Sequence, residues 1–396
     1  MKFRKFGSLD WQVSALGFGA MRLPVERGDF FARGPDFGRI VEDEATRMMR
    51  TAIDGGVNYV DTAYVYHSEA GEAFVARALR EGYRDKVKVA TKMPVWKAEK
   101  QADFDRLFAE EQERLEMESI DFYLLHSLGK KSWTAARDVG VLQWAERALG
   151  DGRIGHFGFS FHDDYDTFVE ILEASDLWEF VQIQYNYMDE DYQAGTRGLH
   201  LAAERGLGVV VMEPVRGGQL ARRPPEAVAA HWAAANERRR KAGLPPRAPV
   251  EWALHWVWDH PEVAVVLSGM STLEQVEQNL AAAAESAPNR LRPDDLETYA
   301  AVREAYRGLI PIPCTACRYC LPCPNGVAIP DVFEVYNDAF MYDHARMARL
   351  YYSWLEADEK ADKCVQCGDC EPKCPQRIGI VGWLEKAQQF LAVEGE

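Results

Sequence analysis

Cysteine is missing from most of this sequence. None of the residues before Cys314 is a cysteine, and all eight cysteines of the 396-residue chain lie between Cys314 and Cys374. A disulfide framework would staple the whole fold and belongs to an oxidising compartment. The distribution therefore argues against disulfides and indicates chemistry confined to one end of the chain.

Features of membrane and nucleic-acid binding proteins are missing as well. No run approaches the roughly 18 uninterrupted apolar residues of a membrane span. The start, MKFRKFGSLD, lacks the apolar core of a signal peptide. With 46 basic and 62 acidic residues the net charge is −16, which disfavours a nucleic-acid surface or a polybasic membrane contact. We therefore expect a cytoplasmic protein that acts on small molecules.

What the chain does contain, from about residue 13 to residue 284, is an alternation of short apolar runs with amphipathic stretches. The candidate strands are VSALGFG, VNYVDTA, VKVATKM, IDFYLLH, IGHFGFS, FVQIQYN, GVVVMEP and VAVVLSG. Each is mostly apolar, as a strand buried on both faces requires, and helices fit between them. This predicts an α/β fold, a (β/α)8 barrel. A doubly wound sheet is the alternative, but GFGAMR does not fit its G-x-G-x-x-G turn.

The two ends of this pattern are also readable. The leading KFRKFGSLDWQVS predicts a hairpin around Gly7 and Ser8 that covers the closed bottom of the barrel. Near SAPNRLRPDDLETY the composition shifts to Pro, Asn, Arg and Asp, and the cysteines begin one helix later. We therefore expect a barrel domain over 1–310 and a small C-terminal domain over 311–396.

The cysteines form two runs with regular spacing. The second run, CVQCGDCEPKCP, has the C-x2-C-x2-C-x3-C-P spacing of bacterial ferredoxins. The first run is similar and also ends in Cys-Pro, but its last gap is two residues instead of three. Zinc is the alternative ligand, although zinc sites usually separate two C-x-x-C pairs by a loop, whereas each group here is contiguous. The spacing therefore favours iron–sulfur clusters.

The tail thus resembles a two-cluster ferredoxin, which implies an α-helical domain with two 4Fe-4S clusters and a ferredoxin-type redox partner. By that resemblance, one cluster takes the thiolates of Cys314, Cys317, Cys320 and Cys374. The other takes those of Cys364, Cys367, Cys370 and Cys323. The short gap in the first run bears on the crossover of Cys323 and not on the existence of the site.

Four chemically versatile side chains lie at the carboxyl ends of successive predicted strands, where barrel enzymes carry their active sites. Asp61 ends the second strand and Tyr66 follows it, Lys92 ends the third, and His126 ends the fourth. The set resembles the Asp, Tyr, Lys and His tetrad of the aldo-keto reductase family, which occurs in that order and on those strands. The resemblance covers the whole first domain.

The family resemblance implies an oxidoreductase that interconverts a carbonyl and an alcohol with NADH or NADPH. Hydride transfer to a carbonyl leaves negative charge on oxygen, so a proton donor must stand beside it. Tyr66 would be the general acid/base, its pKa lowered from about 10 by the ammonium of Lys92. Asp61 would keep Lys92 charged, and His126 would position the carbonyl oxygen and tune Tyr66.

The same resemblance implies a set of cofactor contacts. Ser160 and Gln182 would hold the carboxamide, with Phe161 where the family usually has Asn, and Met212 would cover the nicotinamide. The remaining expected contacts are Gly19, Ala20, Met21 and Arg22 after the first strand, Arg216, Gly217 and Gly218 for the pyrophosphate, and Ser271, Gln275, Gln278 and Asn279 for the adenosine end. The segment LSGMSTLEQVEQNL has no basic residue for a 2′-phosphate, which slightly favours NADH.

The role of the clusters stays open at this point. A hydride carries two electrons together and a cluster carries one, and the chain shows no flavin motif to convert between them. The clusters either relay electrons from an external carrier or chiefly fold a tail that looks too small and too polar to fold alone. A third interpretation makes the barrel a non-catalytic cofactor sensor. The complete tetrad favours turnover, and the missing flavin motif favours structural clusters.

The substrate is not identified by the sequence. Aromatic residues occur in loops expected at the catalytic face: Phe30, Phe31, Phe37 and Trp96. They indicate an apolar pocket, although loop aromatics also pack against one another without a ligand. The expected partner is therefore a small carbonyl or alcohol of unspecified structure.

Overall fold

The computed structural model describes residues 1–26 and 38–392, and within them the chain forms two units. The first comprises Met1–Gly218 and Val250–Leu291, and the second comprises Gln219–Pro249 and the chain from Arg292 on. In space, 219–249 and 292–310 therefore group with the cysteine-bearing segment. The linear boundary at residue 310 stays a prediction. Within the described ranges, no helix is both long enough and apolar enough to cross a membrane.

The first unit is built on a closed parallel barrel. Its strands are β3 (Leu16–Gly19), β6 (Tyr59–Asp61), β7 (Lys88–Met93), β8 (Ile120–Leu128), β9 (Ile154–Phe161), β10 (Phe180–Gln184), β11 (Gly208–Met212) and β12 (Val263–Ser268). They follow one another around the barrel in chain order, and β12 pairs with β3 to close it. Each predicted apolar run overlaps one of these strands, so the predicted (β/α)8 barrel is confirmed.

Helices follow the barrel strands as the apolar periodicity predicts. Those of the first unit are α1 (Glu42–Asp54), α2 (Gly71–Ala78), α3 (Gln101–Leu115), α4 (Lys130–Val139), α5 (Val141–Gly150), α6 (Tyr165–Glu173), α7 (Gly195–Glu204), α9 (Pro249–Trp258, whose first residue falls in the second unit) and α10 (Leu273–Ala284). Because the helices cover the outside of the barrel and side chains fill its inside, strands such as β10 and β12 are buried along their whole length. A short sheet of β4 (Val25–Glu26) and β5 (Arg39–Ile40) follows β3.

The second unit is helical. Its helices are α8 (Glu226–Lys241), α11 (Pro293–Arg307), α12 (Ile329–Met341), α13 (Ala345–Trp354) and α14 (Ile380–Leu391). Helices α12 to α14 enclose an apolar core that includes Phe333, Tyr336 and Leu384. The segment therefore has an apolar core, because residues spaced one or two helical turns apart in each helix share one buried face. The expectation that it is too small and too polar to fold alone stays a prediction.

A polar contact joins the first cysteine run to this core. The side chain of Asn337 on α12 accepts a hydrogen bond from the backbone N–H of Ile312 at 3.0 Å and donates one to the carbonyl of Ile312 at 2.8 Å. Ile312 is fully buried and lies two residues before Cys314. The paired bonds therefore fix the start of the first run on α12.

The amino-terminal hairpin covers the bottom of the barrel as predicted. Its strands β1 (Phe3–Lys5) and β2 (Gln12–Ser14) are antiparallel, and Gly7 in the turn has φ of +55°. A Cβ at Gly7 would lie 2.4 Å from the backbone nitrogen of Gly208, so only glycine fits this approach. The ring of Phe6 packs 5.0 Å from that of Phe122 and 5.8 Å from that of Phe180, centroid to centroid. Since Phe122 and Phe180 lie near the starts of their strands, the hairpin closes the amino-terminal end.

Replacing Phe6 by alanine removes the ring on which the hairpin and the strand starts pack. We expect the free energy of unfolding of the barrel to fall by about 3–5 kcal/mol, because the cavity left by a buried aromatic side chain cannot fully close. Urea unfolding followed by tryptophan fluorescence measures this change. Phe3→Ala is the control, since Phe3 lies on the same hairpin but is 51% exposed. Equal losses in the two variants would contradict a core role for Phe6.

Candidate active site and cysteine cluster

A buried ion pair lies at the carboxyl ends of β6 and β7. The ammonium of Lys92 donates to Asp61 Oδ1 at 2.6 Å and to the backbone carbonyl of Thr62 at 2.7 Å. Both charged side chains are almost completely buried. Burial alone would lower the pKa of Lys92, but Asp61 and Tyr66 outweigh it, so the pKa is raised and Lys92 stays charged. For Asp61, burial raises the pKa and Lys92 opposes the rise.

Tyr66 lies on the other side of the Lys92 ammonium. Its hydroxyl is 3.4 Å from Lys92 Nζ, which also lies 4.9 Å from the centroid of the Tyr66 ring. The expected lowering of the Tyr66 pKa is not found: burial raises the pKa above its ordinary value, and the opposing effect of Lys92 is smaller. The sequence shows which charge is adjacent but not how deeply the phenol is buried. Tyr66 is therefore held in its protonated form at neutral pH.

His126, on β8, completes the predicted group of four. Its ring meets that of Tyr66 edge to face, with centroids 6.0 Å apart. Burial, followed by the charges of Lys92 and His162, lowers the pKa of His126 well below its ordinary value, so the imidazole is neutral. Trp96 packs on it from the loop after β7, with ring centroids 5.4 Å apart. The other aromatic residues expected at this face, Phe30, Phe31 and Phe37, lie outside the described residues.

Two of the expected carboxamide contacts are adjacent on neighbouring strands. Ser160 on β9 and Gln182 on β10 are register partners, and both side chains are buried. The hydroxyl of Ser160 accepts a hydrogen bond from the N–H of Ser127 at 2.7 Å, and Gln182 Nε2 lies 3.6 Å from the sulfur of Met212. Gln182 Oε1 is buried without a hydrogen-bond partner in the part of the chain that the structure describes. An unpaired buried acceptor of this kind fits an amide-bearing ligand.

The loop after β11 carries the expected pyrophosphate residues in a left-handed backbone. The φ angles are +47° at Arg216, +60° at Gly217 and +98° at Gly218. Sequence reasoning missed the two residues that hold this loop. Asp189 Oδ2 lies 3.2 Å from Arg216 Nε, and Asn186 Nδ2 donates both to Asp189 Oδ2 at 2.9 Å and to the Glu213 carbonyl at 3.2 Å. Their position just after β10, at the carboxyl end of a barrel strand, was the available signal.

The turn after β3 contacts the segment expected at the adenosine end. The hydroxyl of Ser271 donates to the carbonyl of Arg22 at 2.8 Å, so turn 19–22 and the start of α10 are joined. Gln275 accepts from the Ser271 N–H at 2.8 Å, and the buried Asn279 donates to Ser268 Oγ at 2.8 Å. Gln278 is half-buried on the same helix. These polar groups therefore lie together beyond the carboxyl ends of β3 and β12.

The eight thiols are free, and the two predicted sets are each brought together. All four thiols of one set, namely Cys323, Cys364, Cys367 and Cys370, line a common space, with Cys320 beside them. In the other set, burial and then the charges of Cys317 and Cys374 raise the pKa of Cys314, and Cys320 is affected by the same neighbours.

The spacing of these thiols differs from that of a single-ion site. Over residues 1–26 and 38–392, no group of three or more His, Cys, Asp or Glu side chains is placed to hold one metal ion. The thiols of one set line a common space, as the ligands of an iron–sulfur cluster do. Burial raises the pKa of Cys370 to about 11, so a bound metal must displace its proton.

Comparison with known families identifies both parts of the chain. The family described as "Aldo/keto reductase family" matches residues 15–298. The chain belongs to the aldo/keto reductase family. Residues 313–378 match the domain described as "4Fe-4S dicluster domain". The predicted fusion of an aldo/keto reductase barrel with a two-cluster module is thereby confirmed, and the barrel is that of an oxidoreductase.

Individual aldo/keto reductases resemble this chain over the same part. "Probable aldo-keto reductase 1" from Glycine max is 28% identical over 306 residues, 71% of this chain and 84% of that protein. L-galactose dehydrogenase from Arabidopsis thaliana is 25% identical over 326 residues, 78% of this chain and 96% of that protein. The holo form of the aldo-keto reductase AKR11C1 from Bacillus halodurans has a TM-score of 0.58 at 27% identity, covering 77% of this chain and 96% of that one.

A further solved structure supports the fold alone. An aldo-keto reductase from Klebsiella pneumoniae in complex with NADPH has a TM-score of 0.57 at 21% identity. The match covers 76% of this chain and 96% of that one. The barrel of this chain is therefore the aldo/keto reductase barrel.

Replacing Asp61 by asparagine leaves the Lys92 ammonium buried without its carboxylate. Burial then dominates, so we expect the pKa of Lys92 to fall below its ordinary value and the free energy of unfolding to drop by about 3–5 kcal/mol. A ¹³C NMR titration of labelled lysine and urea unfolding measure the two effects. Asp54→Asn is the control, because Asp54 pairs with Lys86 at 3.0 Å on the surface and should matter little. An unchanged Lys92 pKa in Asp61→Asn would contradict the role of the pair.

Proposed function

We propose that the barrel interconverts a carbonyl and an alcohol with NADH or NADPH as the redox cofactor, and that Tyr66 moves the proton. The observation that carries this proposal is the contact series from Asp61 through Lys92 to Tyr66, with His126 at the edge of the Tyr66 ring. Membership of the aldo/keto reductase family supports it. The sensor interpretation is less favoured, because a pure binding module does not need a buried ammonium beside a buried phenol.

The residues around the site fit a nicotinamide. The unpartnered Gln182 Oε1 and the neighbouring Ser160 would hold the carboxamide, and the half-buried Met212 would cover the ring. Arg216 and the glycines after it would face the pyrophosphate, and Ser271 and Gln275 the adenosine end. When bound, the nicotinamide supplies or accepts a hydride.

The protein's own groups manage the proton and the charge on oxygen. In reduction, negative charge develops on the carbonyl oxygen, and Tyr66, protonated at neutral pH, donates its proton there. The tyrosinate left behind is stabilised by the ammonium of Lys92, which Asp61 keeps charged. His126 is neutral and so carries one N–H, which would orient the carbonyl oxygen. In the reverse direction, tyrosinate accepts the alcohol proton.

The protonation state of Tyr66 should set how the rates of reduction and oxidation depend on pH. The raised pKa of Tyr66 keeps the proton donor in place for reduction at neutral pH. Alcohol oxidation needs the deprotonated phenol, whose population grows as pH rises. The two directions should therefore have opposite pH profiles, with oxidation favoured at alkaline pH.

We further propose that the second unit binds two 4Fe-4S clusters, each held by one set of four thiols. One set is Cys314, Cys317, Cys320 and Cys374, and the other is Cys323, Cys364, Cys367 and Cys370. The match to the dicluster domain and the space lined by Cys323 together with Cys364, Cys367 and Cys370 support this. When bound, each cluster carries one electron. Arg318 and Asp331 form a salt bridge at 3.1 Å that links the first run to α12 independently of metal.

The clusters, in this proposal, chiefly fold the cysteine-bearing segment. Six of the thiols pack against the apolar core: Cys314, Cys320, Cys323, Cys364, Cys370 and Cys374. Between the helices, both cysteine runs are irregular segments held by isolated turn hydrogen bonds, which a metal site would order further. The core found in this unit reduces the need for a staple without removing it. Electron relay from a ferredoxin-type donor is the competing interpretation.

Replacing Tyr66 by phenylalanine removes the proton donor and keeps the ring. We expect carbonyl reduction to fall by about 10²–10⁴-fold with little change in cofactor affinity, because general acid catalysis is lost and binding is not. Steady-state turnover on a panel of carbonyls and fluorescence titration with NADH and NADPH measure both quantities. Tyr64→Phe is the control: Tyr64 is buried nearby but donates to Glu110 at 2.6 Å. Near-normal turnover of Tyr66→Phe would rule out Tyr66 as the acid.

Replacing Cys367 by serine tests the clusters and their role together. Anaerobically purified wild-type protein should contain about eight irons per chain, and the variant about four. We expect a lower thermal unfolding temperature of the second unit, while carbonyl reduction driven by the nicotinamide persists at a reduced rate. Iron analysis, calorimetry and turnover measure these effects, with Val365→Ala, exposed in the same run, as the control.

Two results would contradict these proposals. Stoichiometric zinc and no iron after anaerobic reconstitution would refute the cluster assignment. Product formed from reduced viologen without nicotinamide, and lost in Cys367→Ser, would show that electron relay is right and the structural role wrong.

A further inference from the structure

The turn directly after Tyr66 has an unusual backbone. Three successive residues are left-handed, with φ of +52° at His67, +53° at Ser68 and +72° at Glu69. A residue with a Cβ is disfavoured in this conformation, and a run of three persists only when its surroundings over-determine it. The chain therefore holds the segment that leaves Tyr66 in a strained but defined form.

Backbone hydrogen bonds and two ion pairs of Glu69, one to Lys97 and one to Arg114, fix this turn from within and from one side. The carbonyl of Tyr66 accepts from the N–H of Gly71 at 3.0 Å, and the carbonyl of His67 accepts from the N–H of Ala70 at 3.1 Å. Glu69 pairs with Lys97, in the loop after β7, at 2.5 Å. The turn is thus anchored to its own helix α2 and to the neighbouring loop.

The side chain of His67 provides the anchor on the opposite side. It is buried, with 5% exposed, and its Nε2 donates to the carbonyl of Ala20 at 3.0 Å. Ala20 begins the turn after β3, and the carbonyl of Arg22 in the same turn accepts from the hydroxyl of Ser271 at 2.8 Å. One continuous series of contacts therefore runs from the turn of Tyr66 to the start of α10.

We propose that His67 is a positioning residue that ties the Tyr66 turn to the turn Ala20–Arg22, so that the proton donor and the nucleotide-binding edge are held in one fixed arrangement. The inference rests on the proposed function, because it assigns Tyr66 to the proton and the second turn to the cofactor. In this proposal His67 acts through the backbone on either side, by way of its hydrogen bond to the Ala20 carbonyl.

The choice of histidine at this position has a physical reason. The side chain must leave a left-handed backbone, which histidine adopts more readily than most residues. It must also carry a donor at the reach of a ring Nε2, and asparagine is too short for that. Burial lowers the pKa of His67 to about 4, so the donor is a neutral imidazole through the neutral range. Glycine would relax the backbone but leave Ala20 without the bond.

The test compares variants that separate the bond from the backbone strain. His67→Gly removes the donor and tolerates the left-handed backbone. His67→Asn also tolerates that backbone, but its amide donor is too short to reach the Ala20 carbonyl. His67→Gln restores a donor at similar reach. Ser68→Gly is the matched control, because it relaxes the same turn and leaves the His67 bond intact. If His67→Gly fails to fold, the comparison of His67→Asn with His67→Gln carries the test.

We expect His67→Gly and His67→Asn to lower kcat by about 10²-fold, because even a small misplacement of the proton donor relative to the cofactor costs about that much in rate. NADH or NADPH affinity without substrate, measured by fluorescence titration, should also weaken, because the turn Ala20–Arg22 at the cofactor site is no longer held in place. His67→Gln should recover most of both, and Ser68→Gly should resemble wild type. A merely structural role would instead reduce the number of binding sites per chain and leave affinity and kcat per site unchanged.

The failures are distinguishable. Wild-type kcat per site and cofactor affinity in His67→Gly and His67→Asn would overturn the inference, and so would equal impairment of His67→Gln. If Tyr66→Phe is inactive and these variants are normal, only the inference on His67 fails. If Tyr66→Phe is fully active, the proposed function fails first, and the inference fails with it.

Discussion

The buried pair of Lys92 and Asp61 is the interaction on which the barrel's site depends. An ammonium buried among the strand ends is tolerated only because a carboxylate 2.6 Å away and the carbonyl of Thr62 satisfy it. The cost of burying both charges is met by the packed barrel around them, closed below by the hairpin and Phe6. In return, the positive charge stands beside a phenol, where it can stabilise tyrosinate that water would otherwise have to solvate.

Burial acts on every member of this group, and it acts in one direction: it favours the neutral form. It raises the pKa of Tyr66 and lowers that of His126, so the phenol keeps its proton and the imidazole is neutral. Lys92 nevertheless remains charged beside the Asp61 carboxylate, because Asp61 and Tyr66 together outweigh the effect of burial on its pKa. In the function we propose, the protonated phenol of Tyr66 is the group that donates toward the carbonyl, as reduction by hydride requires.

Much of the fold and of the site could be predicted from the sequence, because both leave local patterns. Eight apolar runs gave eight strands, and Asp61, Lys92 and His126 lie at or near the ends of their strands while Tyr66 follows in the next turn. Degree of burial has no such pattern, so the direction of the Tyr66 pKa was wrong. The core of the second unit was missed because α12 and α14 are far apart in the chain. The pairing of Asp189 with Arg216 likewise depends on loops that only the closed barrel brings together.

The two units of this chain are stabilised in different ways. In the barrel, apolar side chains bury the strands, and the turns at the strand ends are tied to one another: His67 to Ala20, Ser271 to Arg22, and Asp189 to Arg216. The second unit has a smaller core, and its two thiol-bearing segments lie against that core as irregular chain. Two of the thiols are exposed and burial raises the pKa of three others, so a ligand that binds them as thiolates adds its binding free energy to folding. If the proposed clusters are bound, they and the ion pair of the barrel each hold charge at a fixed place inside the protein.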